Sequence, residues 1–221
     1  MDREFWLEKW QRNETGFHLD EVNSSLVAAW PQLGVTAGRV LVPLCGKSVD
    51  VLWLLQQGFD VVGIELSALA LTALKADIQQ LLGGEFERQE RDGLIIDCHP
   101  RVVLIEGDLF AVTPDHVGPI AAVYDRAAMV ALPAAMRERY RTQVVRLAAA
   151  APQLLITLDY DQTVAGGPPF AVSDAEVRAS LEAVYRIRCQ DERELIEQEP
   201  RFRAKGLTSF IQRTYVLASL T

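Results

Sequence analysis

Cysteine and histidine are scarce in this chain of 221 residues, three of each, and their placing excludes more than their number does. Cys45, Cys98 and Cys189 are widely separated, so neither a disulfide framework nor a CxxC zinc or redox motif can be assembled from them. His18, His99 and His116 lack ligand spacing, and the adjacent Cys98-His99 pair is not a metal signature, so no metal is expected. Long apolar runs are missing too. The longest, LAAAAPQLLITL, contains Pro152 and Gln153 and is too short to span a bilayer. The N-terminal MDREFWLEKWQRNE is charged where a signal peptide would be apolar. No membrane and a reducing cytoplasm are therefore expected. Positive charge is in deficit: 22 Lys and Arg against 30 Asp and Glu give a net charge of -8, which argues against a nucleic-acid partner. What is present, 49% hydrophobic and 24% charged residues, suits one folded domain over 1–221 with its own core.

Short β-branched runs alternate with helical segments, the pattern of βαβ units around a parallel sheet. RVLVPL reads as a first buried strand. SVDVLWLLQQG follows as a helix, with Val49, Leu52, Trp53 and Leu55 at helical spacing and a stop at Gly58. FDVVGIE is a second strand and SALALTALKADIQQLL a second helix that Ser67 caps. EFERQERDGLIIDC reads as a hairpin turning at Asp92-Gly93. RVVLIEGD, IAAVYDR and QLLITLDY are the third to fifth strands, with a helix that Pro133 starts between the last two. After the helix DAEVRASLEAV, YRIRCQDE and SFIQRTYVLASL pair antiparallel. The expectation is five parallel strands closed by a C-terminal antiparallel pair.

The stretch RVLVPLCGKSVD ends like a phosphate-binding P-loop, yet the count fails. Walker A requires a glycine five positions before that of Gly-Lys-Ser, and Leu41 stands there. A GxGxxG dinucleotide fingerprint fails as well, because Gly46 is the loop's one glycine. Half of the dinucleotide logic survives: Glu65 ends the second strand nineteen residues after Gly46, where a carboxylate takes both hydroxyls of a ribose. A site for a ribose without a pyrophosphate fits S-adenosylmethionine. In EGDLF, Asp108 is placed to accept from an adenine amino group, with Leu109 and Phe110 covering its face. YDR brings Asp125 and Arg126 to the same carboxyl edge, as site residues or as a structural ion pair.

Trp6 and Trp10, four apart, share one face of a short helix. Such a pair is either core or, given the polar and charged residues Asp2, Glu4, Glu8, Lys9, Gln11 and Arg12 around it, the inner face of a lid occupying roughly the first thirty residues. An indole suits a sulfonium ligand through cation–π attraction. GGPPF superficially resembles the Pro-Pro-aromatic motif of DNA amino-methyltransferases, but Gly167 replaces the required Asn or Asp. Pro168, Pro169 and Phe170 read instead as a stiff apolar wall of an acceptor pocket, or as an ordinary loop.

Taken in order, FWLEKWQRNETGFH, VPLCGKSVD, GIELS, YDRAAMVAL and GGPPF resemble the thiopurine S-methyltransferase family over nearly the whole chain. The resemblance implies a Rossmann-like, class I methyltransferase fold: a seven-stranded, mostly parallel sheet with helices on both faces, an N-terminal segment folding over the site, and S-adenosyl-L-methionine as cofactor. Carried over by position, it implies that Trp10, Leu44, Glu65 and Arg126 contact the cofactor, with Trp6, Asp108 and Leu109 near it. Phe17 and Arg201 fall on the acceptor side, together with the wall of Pro169 and Phe170; Arg203 is the alternative to Arg201. The implied reaction is in-line S-methylation of a small aromatic or heterocyclic thiol. No catalytic residue is required for an acceptor that ionises readily, and Asp125 is the candidate base. The alternatives are a P-loop phosphotransferase and a non-catalytic sensor of an adenosine ligand. No feature sets an oligomeric state, and a monomer is the default.

Overall fold

The computed structural model describes residues 3–220. Asp2, counted above with the charged residues of the first helix, lies outside them. One sheet runs through the molecule. Its strands are β1 (Arg39–Pro43), β2 (Asp60–Glu65), β3 (Glu87–Arg91), β4 (Leu94–His99), β5 (Val102–Glu106), β6 (Ala122–Arg126), β7 (Gln153–Asp159), β8 (Tyr185–Glu194) and β9 (Ile211–Ser219). Their order across the sheet is β3-β4-β5-β2-β1-β6-β7-β9-β8. β5, β2, β1, β6 and β7 are the five expected parallel strands, and β9 runs antiparallel between β7 and β8. The α/β class is as expected; the strand number is nine rather than seven. The Asp92-Gly93 hairpin is part of the sheet because only Pro100 and Arg101 link β4 to β5, and so short a link makes antiparallel neighbours.

The helices are α1 (Arg3–Gln11), α2 (Ser24–Ala29), α3 (Val49–Gln56), α4 (Ala68–Leu82), α5 (Pro114–Val117), α6 (Ala134–Ala148), α7 (Asp174–Leu181) and α8 (Pro200–Arg203). Ser67 caps α4 by accepting from the Ala70 amide, and Pro133 occupies the N-cap of α6. The apolar face of α3 differs from the expected one. Val51, Leu54 and Leu55 are buried while Leu52 and Trp53 are half-buried, because Asp50 is drawn inward at the helix start. Parallel strands bury both faces here, and successive residues serve two cores. Leu41, Val62 and Ile64 pack with Tyr140, Val144 and Leu147 of α6 and Val177 of α7. Val40, Val42 and Val61 pack with Leu26, Val51, Leu54, Leu71 and Leu74 of α2 to α4. Truncating a fully buried leucine such as Leu74 to alanine costs about 2–5 kcal/mol.

The N-terminal thirty residues divide in two. α2 and Trp30 are core: Leu26, Ala29 and Trp30 are buried, with the Trp30 ring edge-on to Phe59 and Tyr124. Asn23 caps α2, accepting from the Ser25 and Leu26 amides, and its own amide donates to buried Asp50. The other side of α2 is tied to the last strands, where Gln212 donates to Ser25 and Arg193 to Ser24. α1 and the turn to Phe17 are the part that lies over the carboxyl edge of the sheet.

Candidate active site

A cavity of about 620 Å³ opens at the carboxyl ends of β1, β2, β5 and β6, beneath α1 and the following turn. Trp6, Trp10, Phe17, Leu44, Glu65, Asp108, Leu109, Arg126, Pro169 and Arg201 all line it. The structure thus brings these ten residues together, as singled out from sequence; Asp125 and Phe170 do not reach the cavity.

The loop after β1 shows why Gly-Lys-Ser is not a phosphate site here. Leu44 and Gly46 both have positive φ, 48° and 54°, which turns the chain sharply. The loop amides are then spent on protein: Cys45 N–H donates to the Ile64 carbonyl, Gly46 N–H to Glu65 and Ser48 N–H to the Cys45 carbonyl. A P-loop needs those donors converging on the ligand, so their direction agrees with the failed glycine count and leaves the phosphotransferase alternative without support. Gly46 is required twice, for its left-handed backbone and because Trp10 lies against it. A Cβ there would stand 2.9 Å from Trp10 Cζ2.

Glu65 is the electrostatic centre of the site. It is 6% exposed, and its carboxylate accepts from three amides: Gly46 on Oε2 at 2.9 Å, and Leu66 and Ser67 on Oε1 at 2.8 and 2.9 Å. Burial raises its pKa and the three amides oppose that rise. A carboxylate offers about four acceptor positions, so the geometry leaves one direct hydroxyl bond rather than the two expected. The donor set and its surroundings fit an adenosine ligand carrying no phosphate. At the end of β5, Asp108 is exposed and caps the turn Leu109–Ala111 through Oδ1, leaving Oδ2 uncommitted among the described residues. Phe110 also lines the cavity, with the Arg139 guanidinium 3.9 Å from its ring centroid.

Strand alternation separates the YDR residues. Tyr124 and Arg126 face the cavity, and the Tyr124 hydroxyl donates to Asp50 at 2.8 Å. Asp125 points to α6, accepting from Tyr140 at 2.8 Å and from the Met129 amide at 3.2 Å. Burial lifts its pKa to about 6. It is 1% exposed and closed off from the cavity, so it has no path to an acceptor there; the candidate base is corrected to a structural carboxyl.

Above the site, Phe17 packs edge-on to both tryptophans, with centroids 5.7 Å from Trp6 and 5.4 Å from Trp10. Pro168 and Pro169 line the cavity with Leu158, Leu195 and Phe210. Phe170 is a buttress behind this wall: its amide donates to the Val130 carbonyl, and its ring fills the space where a Cβ of Gly167 would be. The Tyr160 hydroxyl holds the wall through the Pro169 carbonyl. Arg201 lies over Gly16 and beside Phe202 and lines the cavity, whereas Arg203 pairs with Glu197 and does not.

Sequence reasoning missed Tyr124, Arg139 and His18 as lining residues. Alternation along β6 contained the signal for Tyr124. Arg139 is one of several cations on α6 with no distinguishing spacing. His18 lies in the loop after Phe17, where burial and nearby Lys47 lower its pKa.

The comparisons with known proteins agree with this geometry. The thiopurine S-methyltransferase family model matches residues 1–219. A thiopurine S-methyltransferase of Xanthomonas campestris pv. campestris is 46% identical over 220 residues, covering 98% of this chain and 99% of that protein. One from Pseudomonas entomophila is 43% identical with the same coverage. Among solved structures, a Burkholderia thailandensis 1,6-didemethyltoxoflavin-N1-methyltransferase with bound S-adenosylhomocysteine shares the fold at TM-score 0.64 and 14% identity, covering 98% of this chain and 87% of that one. Magnesium protoporphyrin IX methyltransferase from Synechocystis with bound S-adenosylmethionine does so at TM-score 0.64 and 14% identity, covering 98% and 97%. Full-length identity above two-fifths and an adenosine site without a phosphate cradle lead to one assignment: the chain belongs to the thiopurine S-methyltransferase family.

Proposed function

We propose that this chain transfers a methyl group from S-adenosylmethionine to the sulfur of a small aromatic or heterocyclic thiol, of which a thiopurine is one. The observation that carries this reading is the buried Glu65 carboxylate at the β2 end, facing a cavity whose loop amides are turned away from it. When bound, S-adenosylmethionine would supply a methyl group activated by its sulfonium, which a thiolate would take in line as the sulfonium C–S bond breaks and S-adenosylhomocysteine leaves. In this reading Glu65 takes a ribose hydroxyl, Asp108 Oδ2 the adenine amino group, and Leu109 and Phe110 the adenine face. Trp6 and Trp10 shield the sulfonium and exclude water, and Arg126 and Leu44 complete the cofactor side. Phe17, Pro168, Pro169 and Phe210 hold the acceptor ring flat, with Phe170 fixing the proline wall from behind. Arg201 favours the anionic form of the acceptor.

No protein base is needed, since the attacking species is the acceptor's own thiolate. The chain's contribution is orientation, for which effective molarities reach roughly 10⁵–10⁸ M. The P-loop alternative finds no support in the loop. Among the described residues no cluster of three or more His, Cys, Asp and Glu is placed to hold a metal. All three cysteines are free, which supports a cytoplasmic location. The cavity is lined by one chain, so a monomer suffices for the chemistry.

A labelled-methyl assay on a panel of thiols and matching phenols tests the reading and separates an enzyme from a sensor. Thiols should turn over and phenols fail. For two aromatic thiols of different acidity under cofactor saturation, each pH–rate profile should level off near that thiol's own ionisation. A bend at one shared pH would show a protein group controlling ionisation; equal rates on phenols would sink the S-methyl assignment.

A further inference from the structure

The open edge of the sheet carries an unusual sequence. β3 is the terminal strand, all five of its residues are exposed, and it reads Glu87-Arg88-Gln89-Glu90-Arg91. An exposed edge strand is a template for pairing, and proteins commonly blunt it with charge. Charge blunts an edge only when approach of a second copy sets like charges opposite one another. Here the reverse holds. An antiparallel copy related by a two-fold axis at Gln89 places Glu87 opposite Arg91 and Arg88 opposite Glu90, each pair occurring twice. Moving the axis by one residue in either direction, a slip of two residues and the nearest that keeps the same groups facing outward, puts Arg88 opposite Arg88 or Glu90 opposite Glu90. One register is complementary throughout and its neighbours are not.

The backbone agrees with that register. Arg91 and Leu94 flank a two-residue turn, and the flanking pair of such a hairpin exchanges the close hydrogen bonds. Alternation then directs the N–H and C=O groups of Arg88 and Glu90 outward, and these two residues face each other in the complementary register. The side chains are available as well. Arg88 grips Asp97 through Nε and Nη2, leaving Nη1 uncommitted among the described residues. Glu87 and Glu90 have no ion-pair partner among the described residues, and Arg91 has only Asp92 at 3.5 Å.

We propose that β3 is a self-association surface whose partner is a second copy of this chain, joined edge to edge about a two-fold axis at Gln89. The isologous arrangement closes at two copies. Five residues a side bury little surface, so the dimer is weak, concentration-dependent and salt-sensitive. It lies across the sheet from the acceptor side of the cavity, separated from β6 and β7 by β4, β5, β2 and β1, and leaves turnover unchanged.

Sedimentation equilibrium of the whole chain at low salt, over a wide concentration range, tests the proposal. The parent should show a monomer–dimer equilibrium that weakens as salt is added. Glu87→Arg sets like charges opposite at two places and should weaken the dimer roughly tenfold or more. Glu87→Arg/Arg91→Glu restores the complement and should restore the dimer. Glu90→Pro removes an outward N–H without touching the bonds to β4 and should abolish pairing. Thermal denaturation and methyl transfer should be unaffected in all three, which guards against misfolding. A parent that stays monomeric at the highest concentration overturns the proposal. So does a dimer indifferent to Glu87→Arg and Glu90→Pro, because its interface then lies elsewhere.

Discussion

Glu65→Ala is the most informative single change, because in the proposed reading the carboxylate serves the fold and the ligand with the same two oxygens. Three amide donors, from Gly46, Leu66 and Ser67, lose their acceptor in a buried place. An unsatisfied buried donor costs about 1–3 kcal/mol. Water entering from the adjoining cavity offsets part of that, so the variant should lose about 2–4 kcal/mol of stability and still fold. The ligand loses a hydrogen bond to a charged acceptor, worth about 1.5–3 kcal/mol, and S-adenosylmethionine affinity should fall roughly ten- to hundredfold. Glu65→Gln separates the two roles. It keeps one oxygen for Leu66 and Ser67 but presents an NH₂ group to Gly46 or to the ligand, so it should keep most of the stability and still bind poorly. Isothermal calorimetry with S-adenosylmethionine, beside urea denaturation of the ligand-free variants, reads both numbers. Unchanged affinity in folded Glu65→Ala would remove Glu65 from the cofactor site. Unchanged stability would refute the amide accounting.

Three further outcomes are expected. Gly46→Ala adds strain of roughly 1–2 kcal/mol at a φ of 54° and drives a methyl into Trp10, so cofactor affinity should fall about tenfold or more with altered tryptophan fluorescence; normal binding would show that α1 does not rest on the loop. The segment from α1 to Phe17 should gain hydrogen-exchange protection when S-adenosylmethionine binds, and equal protection in both states would make the tryptophans plain core. Asp125 titrates near 3.8 when unfolded and about 6 when folded, so the folded state holds the extra proton and stability from this group is lost as pH rises between those values. Asp125→Asn, compared with the parent by urea denaturation, should gain relative stability from pH 4 to 6, by up to about 3 kcal/mol, and then level off; a flat difference would show that the carboxyl is not buried as described.

How far the site could be read in advance depended on whether a residue's role followed from chain spacing. Gly46 and Glu65 sit at the ends of adjacent parallel strands, so nineteen residues of separation fixed their meeting, and the 2.9 Å bond between them is its result. The period of two along β6 carries information of the same kind: Tyr124 and Arg126 face one way, so Asp125 must face the other. The hairpin's place in the sheet was equally available in the two-residue link after His99. The inward pull on Asp50 was not, because its partners, the Asn23 amide and the Tyr124 hydroxyl, are 27 and 74 residues away. Phe170 misled for a related reason. A Pro-Pro-Phe run predicts stiffness and an apolar face, but which of the three rings meets the cavity is decided by the space that Gly167 leaves free.

The mooring of α2 has a consequence for the order of synthesis. The loop at Gly46, the Glu65 carboxylate, Asp108 and Arg126 have all emerged from the ribosome well before residue 150. The cover that must close over them hangs from Ser24 and Ser25, whose partners are Arg193 and Gln212. A nascent chain carrying these residues therefore holds α2 through Asp50, Phe59 and Tyr124 but still lacks its second mooring, on β8 and β9. Tight cofactor binding is therefore expected to mature once β9 is laid down between β7 and β8. Ribosome-bound chains arrested at successive lengths should acquire protease resistance in response to S-adenosylmethionine in one late step, after residue 212 has cleared the exit tunnel. Protection that grew gradually from residue 130 onward would show that the cover closes without its mooring.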